Sequence, residues 1–210
     1  MISKDEYLRN QCRAASLPYW KAVGIDVPEN MKIVHEDDFC ADMLELYIDE
    51  PYFRLLHDLQ IVDPIAVPAG YSLCRGTVEE FAAHIYECYG NGLTPTEVHS
   101  FTEREVYCAE LWLMLLDEET GKIVATGIAE LDQEMGEGIL EWIQVSKEYR
   151  GHGLGSYIVR ELLWRMKGKA KFATVSGQCN NPTNPEALYR KCGFTGNDVW
   201  HVMRKRVMHG

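Results

Sequence analysis

Three glycines at alternate positions follow an arginine in the stretch VSKEYRGHGLGSYIV, Val145 to Val159, and an apolar helical pattern begins directly after them. A strand that turns through glycine into a helix gathers unpaired backbone N–H groups and the positive end of the helix dipole at one point, which is a site for phosphate. Glycine lets the backbone approach an anion with no Cβ in the way, although turns also use glycine for geometry alone. Two well-known phosphate loops fail on particular letters. A Walker A loop needs lysine and then Ser or Thr after its last glycine, and no lysine follows here. A dinucleotide fingerprint needs a third glycine where Ser156 stands, and an acidic residue about 20 residues on, where KFATVS lies instead.

The elements that position this loop can be read from periodicity. Apolar Leu154, Ile158, Leu162 and Met166 recur every fourth residue, flanked by Val159 and Leu163, until Gly168 stops the helix. Before the loop, ELWLMLL and KIVATGIAEL read as strands around the turn DEETG, and GILEWIQVS as a third strand after DQEMGEG, which gives an antiparallel meander. After it come a strand (KFATVSG), a short helix (NPEALYRKCG) with Asn184 as cap and Pro185 at its first position, and a last strand (VWHVMRKRV). Upstream, YSLCRG reads as a strand. TVEEFAAHIYECYG is a helix capped by Thr77 with Glu80 three residues on, and TPTEVHSFTERE is a second helix. Residues 3 to 22 predict a helix broken at Pro18; MKIV and YFRLLHDL predict short strands, and FCADMLELYI fits either a helix or a strand. The fold class expected is mixed α/β.

Composition narrows the function classes. The 210 residues are 46% hydrophobic and 25% charged, which is the balance of a packed globular chain. A formal net charge of -11 argues against nucleic acid as a partner, since phosphate-backbone binding needs a surplus of lysine and arginine on one face. Seven scattered cysteines with no C-x-x-C pair suggest neither a disulfide framework nor a metal site. No apolar run approaches 18 residues, and the amino terminus has no signal-type core, so a cytoplasmic protein with no membrane contact is expected.

The loop and a second segment together resemble a family. RGHGLG, Arg150 to Gly155, is similar to the Q/R-x-x-G-x-G/A loop of the GNAT superfamily of acyl-CoA-dependent N-acyltransferases. At the right distance downstream, NPEALYRKCGF resembles that family's N-x-x-A-x-x-L-Y-x-x-x-G-F segment, with IQVS before the loop like its fourth strand. The resemblance covers about residues 70 to 206 and implies a mostly antiparallel sheet with a splayed parallel strand pair, flanked by helices. Residues 1–69 lie outside it as an amino-terminal extension of unknown role, and 70–210 would be the acetyltransferase domain. It further implies acetyl-CoA as co-substrate, no metal, and a pyrophosphate wrapped by the N–H groups of Arg150, Gly151, His152, Gly153, Leu154, Gly155 and Ser156. The backbone of Ile143 and Val145 would hold the pantetheine arm, with the Val145 N–H polarising the thioester carbonyl.

Catalytic roles then fall on two side chains. Strand alternation puts Glu141, Ile143 and Val145 on one face and Trp142 and Gln144 on the other, so Glu141 is placed to act as base at the amine. The family often carries a glutamate there, and the competing role for Glu141 is an ion pair or a solvated surface. Tyr189 matches the family tyrosine that protonates the departing sulfur, while its ring also suits packing of the short helix. The family asparagine falls at Pro182, so Asn180, Asn181 or Asn184 is expected to replace it, with Asn184 equally suited to capping the helix. Glu130, Asp132, Glu134 and Glu137 form either a cation-attracting mouth or a solvated hairpin tip. The acceptor expected is a small-molecule primary amine, chosen by Gly90 to Tyr107 and residues 31 to 69; YFRLLHDLQ either adds strands beside that site or forms a homodimer contact. A non-catalytic acyl-CoA-binding module and a transferase for longer acyl groups or protein amino termini are the alternatives.

Overall fold

The structure is a computed structural model, and it describes residues 2–90 and 93–206. Two compact units divide the chain. One comprises Met1–His57 with Thr174–Gly210, the other Asp58–Ala173.

The second unit contains the loop. Its strands β3 (Tyr71–Cys74), β4 (Trp112–Asp117), β5 (Ile123–Asp132) and β6 (Glu137–Val145) run in the spatial order β6-β5-β4-β3, every neighbour antiparallel, as the meander reading expects. Helix α4 (Val78–Tyr89) opens with the capping box read from Thr77 and Glu80 and closes on Gly90, at φ 74°. Helix α5 (Pro95–Phe101) opens the same way on Thr94 and Glu97. Phe81, Ala82 and Ile85 of α4 and Val98 of α5 pack with Met114 and Ile128 on one face of this sheet.

Helix α6 (Leu154–Met166) packs on the other face, and two glycines admit it. A Cβ on Gly127 would lie 2.4 Å from Ile158 Cγ2, and one on Gly138 would lie 2.4 Å from Met166 Sδ. Both strand positions are therefore emptied of side chain so that the helix can lie close to the strands. Leu154, Ile158, Val159, Leu162, Leu163 and Met166 are all buried, which is the stripe the period-four pattern predicts.

The first unit is built from both ends of the chain. Strands β1 (Met31–His35), β2 (Tyr47–His57), β7 (Phe172–Gln178) and β8 (Thr195–Lys205) take the order β1-β8-β2-β7. Residues 47–57, expected within an appended extension, thus form an interior strand paired antiparallel to β8 over Tyr47–Lys205 to Leu56–Thr195. The structural division does not fall at residue 69.

The amino-terminal helix is three short pieces, α1 (Lys4–Arg9), α2 (Gln11–Ala14) and α3 (Tyr19–Ala22). Asn10, at φ -159°, breaks it before Pro18 does, because its side chain caps α2 by accepting from the Arg13 N–H. FCADMLELYI divides between a 3-10 turn over Ala41–Glu45 and the start of β2. Helix α7 (Pro185–Lys191) lies between β7 and β8 in the chain. Val207, read as the end of the last strand, lies outside the described residues. So do Asn91 and Gly92 of the stretch expected to choose the acceptor.

Candidate active site

The loop is shaped by two left-handed glycines and one arginine. Gly151 and Gly153 have φ of 85° and 82°, a backbone region that other residues enter only with strain, and a Cβ on either would meet nothing within 4 Å. Glycine is required there by backbone conformation, and the space above the loop is open. Strand β6 ends at Val145, the chain makes one 3-10 turn over Lys147–Tyr149, and Arg150 turns back so that its Nε donates to the Val145 carbonyl at 3.1 Å. The Arg150 N–H donates within that turn to the Lys147 carbonyl, at 3.4 Å.

Helix α6 then starts at Leu154, whose side chain is buried, so the first-turn amides of Leu154, Gly155 and Ser156 point from an anchored helix end toward the loop. His152 is exposed, and its Nδ1 lies 3.4 Å from the Tyr71 hydroxyl of β3. Tyr71 also meets Tyr149 edge to face at 6.4 Å. The edge strand therefore braces the loop through Tyr71, a residue no motif marks.

Below the loop lies a buried polar network. His84 Nε2 is 2.9 Å from Ser146 Oγ, and His84 Nδ1 is 2.9 Å from Thr126 Oγ1. The Gln144 side-chain amide, directly across the strand pair from Thr126, also donates to that hydroxyl. Burial pushes the His84 imidazole below its ordinary pKa, against an opposing pull from Glu87. Cys88 Sγ lies 3.7 Å from His84 Nε2; burial, with Glu87 adding to it, pushes its thiol up to about 11, which leaves it no nucleophile.

Glu141 stands at a break in the sheet. Ile128 pairs with Trp142 and Ala129 with Leu140, so Glu141 is the extra residue of a β-bulge. The alternation that assigns Glu141 to the face of Ile143 and Val145 does not run through a bulge, and that part of the expectation is corrected. After the bulge, Ile143 lies on the α6 side, beside Gly127, and Trp142 packs with the α4 core. Glu141 itself is half-buried. Beside it, Trp142 meets Tyr89 edge to face at 5.7 Å, and the Tyr89 hydroxyl donates to the Ile143 carbonyl at 3.4 Å. Burial raises the Tyr89 pKa, Cys88 adds to the rise, and Arg150 opposes it.

Of the four carboxylates of the β5–β6 hairpin, Glu134 is exposed in the turn as a solvated tip residue, and the other three are not. Glu130, Asp132 and Glu137 are 2%, 7% and 0% exposed. Arg104 Nη1 pairs with Glu130 Oε1 at 2.5 Å, and Asp132 Oδ1 accepts from the Met135 N–H at 3.0 Å. A strand that is buried on both faces carries these acids inward, which a charge count along the turn does not reveal.

In the first unit, Tyr189 is 7% exposed on α7, its ring 6.1 Å from that of Phe53 and 5.8 Å from that of Phe194. The packing role read for this ring is present. Asn184 has φ 49° and caps α7 by accepting from the Ala187 N–H at 3.3 Å. Asn181 Oδ1 accepts from the Thr183 N–H at 2.9 Å and the Thr183 hydroxyl at 2.7 Å. Asn180 is exposed on the loop that follows β7. Two of the three asparagines therefore have turn-forming work of their own. Among the described residues no group of three or more His, Cys, Asp or Glu side chains could hold a metal ion, and no helix is long and apolar enough to cross a membrane.

Residues 108–196 match the family model of the acetyltransferase (GNAT) domain. Among solved structures, a GCN5-related N-acetyltransferase from Sphaerobacter thermophilus is similar with a TM-score of 0.68 and 21% identity, over 83% of this chain and 58% of that one. A tandem GNAT protein from the clavulanic acid biosynthesis pathway gives 0.62 and 17%, over 86% of this chain and 65% of that one. The ribosomal-protein-S18-alanine N-acetyltransferase from Escherichia coli gives 0.51 and 16%, over 67% of this chain and 96% of that one. The chain thus spans less than two thirds of the length of the first two. No curated protein sequence matches it. At these identities the structural likeness establishes the fold, which is the mixed α/β fold that the resemblance implies.

Proposed function

From the match of residues 108–196 to the GNAT acetyltransferase domain we propose that the chain transfers an acetyl group from acetyl-CoA to a primary amine by direct attack in a ternary complex. The observation that carries this reading is the loop. Two glycines held at positive φ leave open space over a buried-anchored helix start, and the arginine side chain is folded back on the last strand carbonyl. Such a cradle offers backbone N–H donors and the positive end of a 13-residue helix to a pyrophosphate. The chemistry of the donor set fits coenzyme A.

Bound acetyl-CoA supplies a thioester carbonyl for attack. In this reading Gly151, His152, Gly153, Leu154, Gly155 and Ser156 hold the pyrophosphate, Ile143 and Val145 hold the pantetheine arm, and the Val145 N–H polarises the carbonyl. Arg150 contributes by closing the loop, its own N–H being engaged in the 3-10 turn. Glu141 takes the proton of the attacking amine, directly or through water, and the bulge sets it apart from the regular alternation of β6. As the carbon–sulfur bond breaks, Tyr189 returns a proton to sulfur. Asn180, Asn181 and Asn184 lie on the segment where the family contacts the cofactor, and Asn180 is the one not engaged as a turn or cap acceptor.

Calorimetric titration of the protein and a Gly153→Glu variant with acetyl-CoA and CoA tests the reading. Micromolar binding by the wild type, near -8 kcal/mol, with loss in the variant places the anion at the loop and opens a screen of amine acceptors. Absence of binding by the wild type overturns it, as does equal binding by the variant.

A further inference from the structure

We infer, resting on the acyltransferase reading, that His84 is a positioning residue for the thioester: through Ser146 and Thr126 it fixes the direction of the Val145 N–H, and it does so only while its ring is neutral. His84 stands 62 residues before Ser146 and outside both sequence motifs.

The backbone pattern of β6 shows why Val145 needs holding. The Ser146 N–H donates to the Val124 carbonyl at 2.9 Å, which makes Ala125 and Val145 a non-hydrogen-bonded pair of the antiparallel ladder. The N–H and C=O of Val145 therefore face away from β5, and the carbonyl accepts from Arg150 Nε at 3.1 Å. The direction of the N–H is then set by the residues on either side of it. Gln144 and Ser146, two positions apart, lie on one face of the strand, and both side chains end in the same buried network. The Gln144 amide donates to the Thr126 hydroxyl, Ser146 Oγ lies 2.9 Å from His84 Nε2, and His84 Nδ1 lies 2.9 Å from Thr126 Oγ1. One imidazole thus closes a ring of contacts through both neighbours of Val145.

A neutral ring suits that position. One of its nitrogens donates and the other accepts, and each faces a hydroxyl able to do either. Its remaining polar contact is the Cys88 thiol, 3.7 Å from Nε2. Among the described residues no carboxylate bonds to the ring. Glu87 of α4 acts on it by charge alone, while Glu148 and Arg150 of the loop turn act on the neighbouring Cys88. Protonation places a second donor and a positive charge among partners that cannot neutralise it, and burial lowers the pKa against that step. Releasing Ser146 to let water reach the charged ring relieves the cost, and the aim of the Val145 N–H goes with it.

The test is NMR of acetyl-CoA isotopically labelled at the thioester carbonyl carbon and bound to the full chain, with affinities followed by calorimetry. A polarised carbonyl moves downfield, so the wild type should displace the bound signal at pH 7.5 and lose that displacement as pH falls below the ordinary histidine value, about 6.5. Ser146→Ala, a small change that keeps His84, should remove most of the displacement at neutral pH with CoA affinity unchanged and the fold intact by circular dichroism. His84→Gln reaches Ser146 but cannot titrate, so it should keep the displacement and lose its pH dependence. A purely structural role for His84 would lower the urea midpoint of these variants and leave the bound signal alone. Wild-type displacement in folded Ser146→Ala, wild-type pH dependence in His84→Gln, or a bound wild-type signal at its free position would overturn the inference while acetyl-CoA binding, and so the acyltransferase reading, stands. Absence of acetyl-CoA binding by the wild type would overturn both.

Discussion

His84 of α4 and Ser146, the first residue after β6, are joined by a 2.9 Å hydrogen bond across 62 residues of sequence. Through its other nitrogen the same ring reaches Thr126 of β5. One side chain therefore ties a helix, a strand and the start of the glycine loop, and it does so from a buried position in which the neutral imidazole is favoured.

This lowered pKa has a definite consequence for stability. The unfolded chain binds the proton at ordinary histidine pH, about 6.5, while the folded chain resists it. The contribution of His84 is present above that value and is lost as pH falls through it toward the lowered folded pKa. Urea unfolding between pH 7.5 and 5 should show wild-type stability falling with acid, by up to about 1.4 kcal/mol per pH unit from this group. In His84→Gln that portion of the slope should vanish, and an unchanged slope would show that His84 does not titrate as argued.

His201 has the opposite sign. Burial by itself would lower its pKa, but bonds to Glu36 Oε2 at 2.7 Å and Asp49 Oδ2 at 2.8 Å outweigh that and raise it. Its contribution is fully present below the ordinary histidine value and is lost as pH rises through the raised folded pKa. His201→Gln should therefore flatten the loss of stability as pH rises above the ordinary histidine value, about 6.5, while leaving the acid limb in place. Thermal melts of both variants across pH measure the two limbs separately.

Gly127 controls how closely α6 approaches the sheet. A methyl group there would sit 2.4 Å from Ile158 Cγ2, a branched atom of a fully buried side chain, with Ile143 Cδ1 and Leu162 Cδ1 both at 3.3 Å. Gly127→Ala should cost about 1–3 kcal/mol. Because α6 carries the loop on its first turn, acetyl-CoA affinity should fall along with the urea midpoint. Gly121→Ala, at a turn with nothing within 4 Å, should lower stability through its φ of 67° but leave affinity alone.

On the acyltransferase reading, Glu141→Gln should lower kcat by about 10²- to 10⁴-fold. Acetyl-CoA affinity, measured by calorimetry, should stay unchanged, since the carboxylate acts on the amine. Loss of turnover with that affinity intact would support Glu141 as the base. Turnover at the wild-type rate would remove it from that role.

The letters of this chain determine a good deal. Period-four spacing from Leu154 to Met166 is enough to bury one stripe, and Thr77, Glu80 and Gly90 set both ends of α4, because caps and stripes are local or nearest-turn effects. The loop was legible for the same reason, though only in part: Gly153, at positive φ, is the first glycine of the R-x-x-G-x-G pattern, whereas Gly151, also at positive φ, stands where that pattern admits any residue. What tertiary structure alone decided involves residues far apart. No local signal gives residues 47–57 a place between β8 and β7, since strand order is fixed by which edges meet. The bulge at Glu141 depends on register with Ile128 and Ala129, and period-two reading passes over it. Glu130 and Glu137 read as part of a cation-attracting mouth or a solvated tip because charge predicts exposure, yet both are buried. His84 carries no motif at all, and it matters only because folding brings Thr126 and Ser146 within reach of its two nitrogens.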